Sequence, residues 1–172
     1  MNSYFLRSII YGGTDGIITM FNIVSGVKGA NLPYYIVFFI GIASLLGDAL
    51  SMGVSSFLST KAELDYKRLK NNNKIRDNSS INGLVTFISF ILFGAIPLLT
   101  YLISTKFTNN NYFNTVISTT VALFLLGSTQ SHFTNKKWYQ TGSTVTIYGL
   151  SAAFLSFLIA RIISNITPSN LF

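Results

Sequence analysis

Cysteine is absent from this chain of 172 residues. No disulfide, thiolate metal site or redox-active cysteine pair can therefore form. Charged side chains are also scarce: Asp, Glu, Lys and Arg make up 10% of the residues, whereas a soluble globular domain has about 25%. No Ser-His-Asp set, phosphate-binding loop or zinc signature is present, and the single histidine, His132, is predicted to be a solvated residue at the membrane interface. The sequence therefore predicts that the protein is not an enzyme.

Apolar residues make up 49% of the chain, and they occur in long blocks. A helix needs about 20 largely apolar residues to cross the hydrocarbon core of a bilayer. Five blocks satisfy this requirement, and we interpret the first as a mature span and not as a signal peptide. The sequence predicts an all-α membrane protein with one transmembrane domain over residues 1–172. Its predicted spans cover about residues 8–27, 34–58, 81–104, 115–130 and 143–164.

The basic residues predict how these spans are oriented. The net charge is +7, and six of the 12 basic residues lie in residues 59–80, a predicted cytosolic loop whose charged start continues the second helix. With the N-terminus in the cytosol, the cytosolic segments hold nine basic residues and the opposite segments hold three. Cytosolic segments of membrane proteins are enriched in Lys and Arg. We therefore predict a cytosolic N-terminus, a C-terminus on the far side, and no nucleic-acid binding.

Two of the five acidic residues lie inside predicted spans, where an ionisable group is costly and usually functional. Asp15 lies within residues 10–18, beside three glycines. It shares one helix face with Thr19, Asn22 and Gly26, because these residues follow at steps of four, three and four. This face forms a polar stripe on the first span.

Asp48 belongs to a second polar stripe, which consists of Ser44, Asp48, Met52 and Ser56 at steps of four. The two stripes are expected to face each other or a water-filled path. A thioether beside carboxylates favours a first-row transition metal such as ferrous iron or manganese, and a carboxylate can also carry a proton. The alternative is that Asp15 and Asp48 form a structural polar pair that holds the helices together.

Small residues predict close helix contacts at two other places. One set, in the second span, comprises Ala43, Gly47 and Gly53. The other set, in the fifth span, comprises Gly149, Ala152, Ala153 and Ser156.

Three motifs resemble the vacuolar iron transporter (nodulin-21-like) family. Tyr11-Gly12-Gly13-Thr14-Asp15-Gly16-Ile17-Ile18, followed by Val24-Ser25-Gly26-Val27, is similar to the first-helix motif of that family. Gly47-Asp48-Ala49-Leu50-Ser51-Met52-Gly53, followed by Phe57-Leu58-Ser59-Thr60-Lys61-Ala62-Glu63, resembles its second-helix motif. Ala95-Ile96-Pro97-Leu98-Leu99 is similar to its third helix. The resemblance covers nearly the whole chain.

This resemblance implies export of ferrous iron, and of manganese, from the cytosol in exchange for protons. It also implies a homodimer whose metal path lies between the subunits and is lined by Asp15 and Met52. Together with the stripes, it gives a predicted ligand set of Asp15, Asp48 and Met52, with Asn22 and Ser56 as secondary contacts. Glu63 and Asp65 are predicted to form a cytosolic mouth. The metal ion is predicted to be cargo, with no permanently bound cofactor, and the predicted partners are membrane lipid, protons and a second copy.

The chain departs from the family pattern at two positions. Many members carry a glutamate-rich metal-binding domain between the second and third spans, whereas residues 59–80 contain only Glu63, Asp65 and Asp77 as acids. Members also often have an acidic residue where Ser56 precedes Phe57. The sequence thus predicts a short member that lacks the cytosolic domain. The rival hypotheses are a non-transporting membrane assembly module and a passive divalent cation channel, and the predicted location is a bacterial inner membrane in preference to a eukaryotic vacuolar one.

Overall fold

A computed structural model of the protein describes residues 3–71, 77–107, 110–134 and 136–167. Within these residues the chain is all-helical and contains no strand, so the all-α part of the predicted fold class is confirmed. A 3-10 turn, Gln130–His132, follows the fourth helix. The five α-helices are α1 (Ser3–Gly29), α2 (Tyr34–Asn71), α3 (Ser79–Phe107), α4 (Asn111–Thr129) and α5 (Trp138–Ile166).

Four of these helices, α2 to α5, are long and apolar enough to cross a membrane. Helix α1 is not among the candidate spans, because glycines and polar side chains lower its hydropathy. Its length is not the obstacle, since 27 residues of α-helix extend about 40 Å. The structure thus supports a multi-pass membrane protein, and four of the five predicted spans qualify by length and composition.

Helix α1 is the central helix of the bundle and contacts all four other α-helices. Its side chains Ile17, Met20, Phe21 and Val24 are almost completely buried. A helix that packs against protein on several sides exposes less surface to lipid. This position explains why α1 can contain glycines and polar residues within a membrane protein.

Glycines allow α1 and α3 to approach each other closely. A Cβ atom on Gly16 would lie 2.5 Å from the backbone oxygen of Phe90, and one on Gly94 would lie 3.0 Å from the oxygen of Gly16. The two backbones are therefore in contact one residue after Asp15. This contact fixes the position of the residue predicted to bind metal.

Helix α2 lies at the edge of the bundle, against α1 and α3. It continues beyond the predicted second span to Asn71, as the charged sequence predicted. The predicted small-residue contact in this helix is only partly present within one chain. Gly53 is buried against Gly83 of α3, whereas Ala43 and Gly47 are exposed and a Cβ on Gly47 would meet nothing within 4 Å.

Helix α5 packs against α1 through the small residues that the sequence analysis selected. Gly149 and Ala153 are buried, and the hydroxyl of Ser156 donates a hydrogen bond of 2.8 Å to the backbone oxygen of Asn22. The hydroxyl of Ser164 donates a second bond, of 3.1 Å, to the oxygen of Ala30. Together these contacts confirm the predicted contact face of the fifth helix.

Candidate functional site

Helices α1 and α2 form an antiparallel hairpin, since only residues 30–33 connect them and the two helices are in contact. In such a hairpin the middle of α1 lies level with the middle of α2. Asp15 and Asp48 are accordingly close enough for their charges to interact. Both side chains are half-buried. The two predicted carboxylates therefore lie at the same level of neighbouring helices, and their role as metal ligands remains a prediction.

Met52 lies one turn from Asp48, about 6 Å along the axis of α2. Its half-buried side chain packs against the main hydrophobic core, which includes Met20, Val24 and Ala49. The thioether thus belongs to the side of α2 that faces the rest of the bundle. The role of Met52 as a metal ligand stays a prediction.

A cavity of about 460 Å³ lies at the end of the hairpin where α1 begins, and we call it the Glu63 cavity. Ser56 and Glu63, two of the predicted residues, both line it. Asp65 does not, because it is exposed and pairs with Arg68 at 3.2 Å. Hydroxyl groups dominate the wall, which consists of Arg7, Ser8, Tyr11, Ser55, Ser56, Ser59, Thr60, Glu63 and Asn82.

A second cavity, of about 680 Å³, contains Asp15 itself, and we call it the Asp15 cavity. Gln130, Phe133 and Thr134, which follow α4, form its opposite wall. Arg7 and Tyr11 line both this cavity and the Glu63 cavity. These two side chains therefore form the partition between the two cavities.

A third cavity, of about 760 Å³, lies at the other end of the hairpin and contains Asn22, and we call it the Asn22 cavity. Thr19 and Gly26 also line it, so the rest of the α1 stripe faces one cavity. The side-chain oxygen Oδ1 of Asn22 is buried and has no hydrogen-bond partner within the described residues. An unpartnered buried oxygen is costly unless a ligand or water satisfies it. This atom is thus available to a polar ligand.

The predicted residues thus lie in separate cavities along α1: Ser56 and Glu63 line the Glu63 cavity, Asp15 lines the Asp15 cavity and Asn22 lines the third, whereas Asp48 and Met52 line none of the three. We call this row of three cavities the hairpin groove. A family model described as the VIT family matches residues 6–78 and 67–161.

The chain belongs to the VIT family. It is 28% identical to the vacuolar iron transporter of Plasmodium falciparum, over 93% of this chain and 82% of that protein. It is 24% identical to vacuolar iron transporter 1 of Arabidopsis thaliana, over 93% of this chain and 86% of that protein. A shorter match, 42% identical over 65 residues, relates it to the vacuolar iron transporter of Toxoplasma gondii. These names give no support to the predicted bacterial inner membrane.

This VIT-family chain lacks many positions that its relatives have. The alignment with the Plasmodium falciparum protein extends over 225 positions, which exceeds the 172 residues of the whole chain. Many positions of that relative therefore have no counterpart here. The two matches to the VIT model overlap at residues 67–78, which contain the end of α2 and the following link. The absence of a cytosolic domain between α2 and α3 stays a prediction.

Charges at the Glu63 cavity are partly compensated. A hydrogen bond from Lys67 lowers the pKa of the Glu63 carboxyl, and the charges of Lys67 and Arg7 lower it further. Glu63 is therefore ionised at neutral pH. Arg7 forms no hydrogen bond or ion pair with the residues that the structure describes. Its guanidinium group is available at the partition between the two cavities.

No group of three or more His, Asp or Glu side chains in the described part of this VIT-family chain is arranged to hold a metal ion. The predicted ligand set of Asp15, Asp48 and Met52 contains only two carboxylates, and it stays a prediction.

Sequence analysis missed five of the polar residues that line these cavities: Arg7, Tyr11, Asn82, Gln130 and Thr134. Arg7 lies two helical turns before Asp15 on the same face, so the periodicity that identified Asn22 also identifies Arg7 and Tyr11. Asn82 is only 3% exposed, and it is an amide within the first turn of an apolar span. A polar amide in an otherwise apolar span could have indicated that Asn82 lines a polar cavity. Gln130 and Thr134 gave none, because their approach to Asp15 depends on how α4 packs.

Proposed function

We propose that this protein exports ferrous iron, and also manganese, from the cytosol across a membrane in exchange for protons. One observation carries the proposal: the charges of Asp15 and Asp48 interact in the middle of the α1–α2 hairpin, and polar cavities lie along α1 toward both ends of that hairpin. An ionisable pair at this depth indicates an ion or proton pathway. The names of the relatives support iron as the cargo.

In this proposal α1 crosses the membrane together with the other four α-helices, so that the chain has five spans. Helix α1 is long enough, and its polar side faces the groove and not the lipid. The distribution of basic residues supports a cytosolic N-terminus. The Glu63 cavity then opens toward the cytosol, and the Asn22 cavity opens toward the far side.

Each groove residue has a proposed role. Asp15 and Asp48 provide carboxylate oxygens to the metal ion, and Met52 provides a soft sulfur ligand that favours ferrous iron or manganese over magnesium. Asn22 and Ser56 provide neutral oxygens on either side of the carboxylates. Glu63 attracts the cation at the cytosolic mouth.

The same carboxylates explain why metal movement is coupled to protons. A carboxylate that binds a metal ion must release its proton, and a carboxylate that has lost the metal can bind a proton again. Metal and protons thus compete for Asp15 and Asp48. Alternating occupancy of this pair exchanges the two cations across the membrane.

A homodimer completes the site in this proposal, because two copies double the number of ligands around the groove. The exposed small residues Ala43, Gly47 and Ser51 follow one another at steps of four along α2. Small residues allow helices from different subunits to approach closely within a membrane. We therefore place the subunit contact at this face of α2, beside Asp48.

Proteoliposomes that contain the purified protein test the proposal. We expect uptake of ferrous iron that is accelerated by an opposing proton gradient, and we expect Asp15→Asn to reduce it to the background rate. Asp65→Asn is the matched control, since it also removes one carboxylate but lies outside the three cavities. Size-exclusion chromatography should show that both variants keep the fold of the parent protein.

Three other results would contradict parts of this proposal. Undiminished uptake by Asp15→Asn would contradict the site. Uptake that does not respond to an imposed pH gradient would indicate a passive channel. Absence of flux for iron, manganese, cobalt and zinc, with the dimer intact, would indicate an assembly module in which the aspartates are structural.

A further inference from the structure

An apolar groove of about 420 Å³ lies between α2 and α3, and none of its residues lines the three polar cavities. We call it the α2–α3 groove. It forms where Gly53 and Gly83 bring the two backbones together, since a Cβ on Gly83 would lie 2.7 Å from the oxygen of Gly53. Its wall is almost wholly hydrocarbon and comprises Leu50, Gly53, Val54, Phe57, Ser80, Gly83, Leu84 and Phe87.

The α2–α3 groove has the dimensions and exposure of a lipid-contacting surface. From Phe57 to Leu50 it follows α2 for about 10 Å, which compares with about 15 Å for the hydrocarbon of one leaflet. Leu50 and Leu84 are 61% and 57% exposed in the chain. The groove runs parallel to the helix axes, as an acyl chain does in a bilayer.

A cation lies at the end of this groove. The ammonium nitrogen of Lys61 is 5.7 Å from the centre of the Phe57 ring, so the side chain folds back toward the groove wall. Lys61 forms no ion pair with the residues that the structure describes. The nearby carboxylate is that of Asp77, two residues before α3, which also interacts with Arg68 of α2, and Arg68 itself pairs with Asp65.

We propose that the α2–α3 groove and Lys61 together bind one anionic phospholipid. One acyl chain lies in the groove, and the phosphate group contacts the ammonium of Lys61, three residues beyond the predicted second span. Basic residues at the membrane surface favour anionic over zwitterionic lipids. The proposal requires only that α2 and α3 cross a membrane, so it does not depend on the transport proposal.

Tryptophan fluorescence tests this site in the full-length protein. Leu84→Trp places a reporter on the groove wall, and Trp138→Phe removes the native tryptophan. Phosphatidylglycerol with brominated acyl chains should quench this reporter at lower lipid fraction than the corresponding phosphatidylcholine. Ile147→Trp in the same background places a reporter on an exposed side of α5, where both lipids should quench equally.

Lys61→Ala should reduce the preference for phosphatidylglycerol about five-fold, which corresponds to about 1 kcal/mol for one lysine near the surface. Lys61→Arg should retain it. Lys137→Ala is the matched control, because Lys137 also lies over an aromatic ring, at 5.8 Å from Tyr139, but does not adjoin the groove.

Three outcomes would overturn the proposal. Equal quenching by the two lipids would show an ordinary lipid shell at this surface, and a preference that persists in Lys61→Ala would show that Lys61 does not bind the phosphate group. Absence of quenching by either lipid would show that another part of the protein, such as a second copy, covers the groove. In all three cases the iron flux remains an independent measurement.

Discussion

Gly16→Ala should destabilise the protein by forcing α1 away from α3. The added Cβ would lie 2.5 Å from the backbone oxygen of Phe90, and carbon atoms essentially never come within 3.0 Å of such a neighbour. A backbone oxygen within a helix cannot rotate away as a side chain can. The helices must therefore separate by at least about 0.5 Å, the difference between these two distances.

The size of the effect follows from two opposing contributions. Inserting a methyl group into a packed interface costs about 1–3 kcal/mol. Alanine recovers about 1 kcal/mol relative to glycine through its higher helix propensity. A second glycine separates these contributions: Gly47 is also in mid-helix, but its Cβ would meet nothing within 4 Å. The difference between the two alanine variants therefore isolates the packing cost.

The assay is thermal unfolding in detergent, followed by circular dichroism, with oligomeric state checked for each variant. We expect Gly47→Ala to be at least as stable as the parent protein when both are monomeric in the detergent, because the proposed subunit contact at Gly47 is then absent. We expect Gly16→Ala to unfold below Gly47→Ala by roughly 2–4 °C for each kcal/mol of packing cost. Equal midpoints for the two variants would refute the inferred contact between α1 and α3.

Two further predictions concern the helix ends and the Glu63 cavity. The carboxylate of Asp77 accepts hydrogen bonds from the hydroxyl and the backbone nitrogen of Ser79, at 2.6 and 3.0 Å, and these bonds lower its pKa below the usual 3.8. Asp77→Asn should therefore lower the unfolding temperature above pH 4. The difference in unfolding temperature between the variant and the parent protein should vanish as the pH falls through that lowered pKa. A difference that persisted in acid would exclude the carboxylate as its cause. The buried hydroxyl of Thr86 lies 3.0 Å from that of Ser56. A double-mutant cycle of Thr86→Val with Ser56→Ala should therefore give a coupling of about 0.5–1.5 kcal/mol in the free energy of unfolding. Zero coupling would show that this hydrogen bond contributes nothing to stability.

Helical periodicity was sufficient to predict the centre of the candidate site. Asp15 and Asp48 lie on polar stripes of consecutive spans, and a short link makes such spans antiparallel neighbours, so their proximity follows from the sequence. The all-helical fold follows equally from the apolar blocks. The inward-facing small residues of α5 were predicted by the same argument.

The role of α3 in the site was not predictable in this way. Asn82 reaches the Glu63 cavity because α3 packs against both α1 and α2 through glycines, and the register of those contacts depends on backbone approach distances. Nothing in the pattern of Gly16, Gly53, Gly83 and Gly94 indicates which glycines contact each other. The exposed Gly47 shows the converse, since a Cβ atom on this glycine, which was predicted to contact another helix, would have no neighbour within 4 Å among the described residues.

The unbroken length of α2 gives its contact with α3 a mechanical consequence. Asp48 lies five residues before Gly53, about 7.5 Å along the axis, and Glu63 lies ten residues after it, about 15 Å. If α2 tilts about the Gly53–Gly83 contact, the parts of the helix on either side of that contact move in opposite directions. Glu63 then moves about twice as far as Asp48. A tilt that moves Glu63 away from α1 therefore moves Asp48 toward α1.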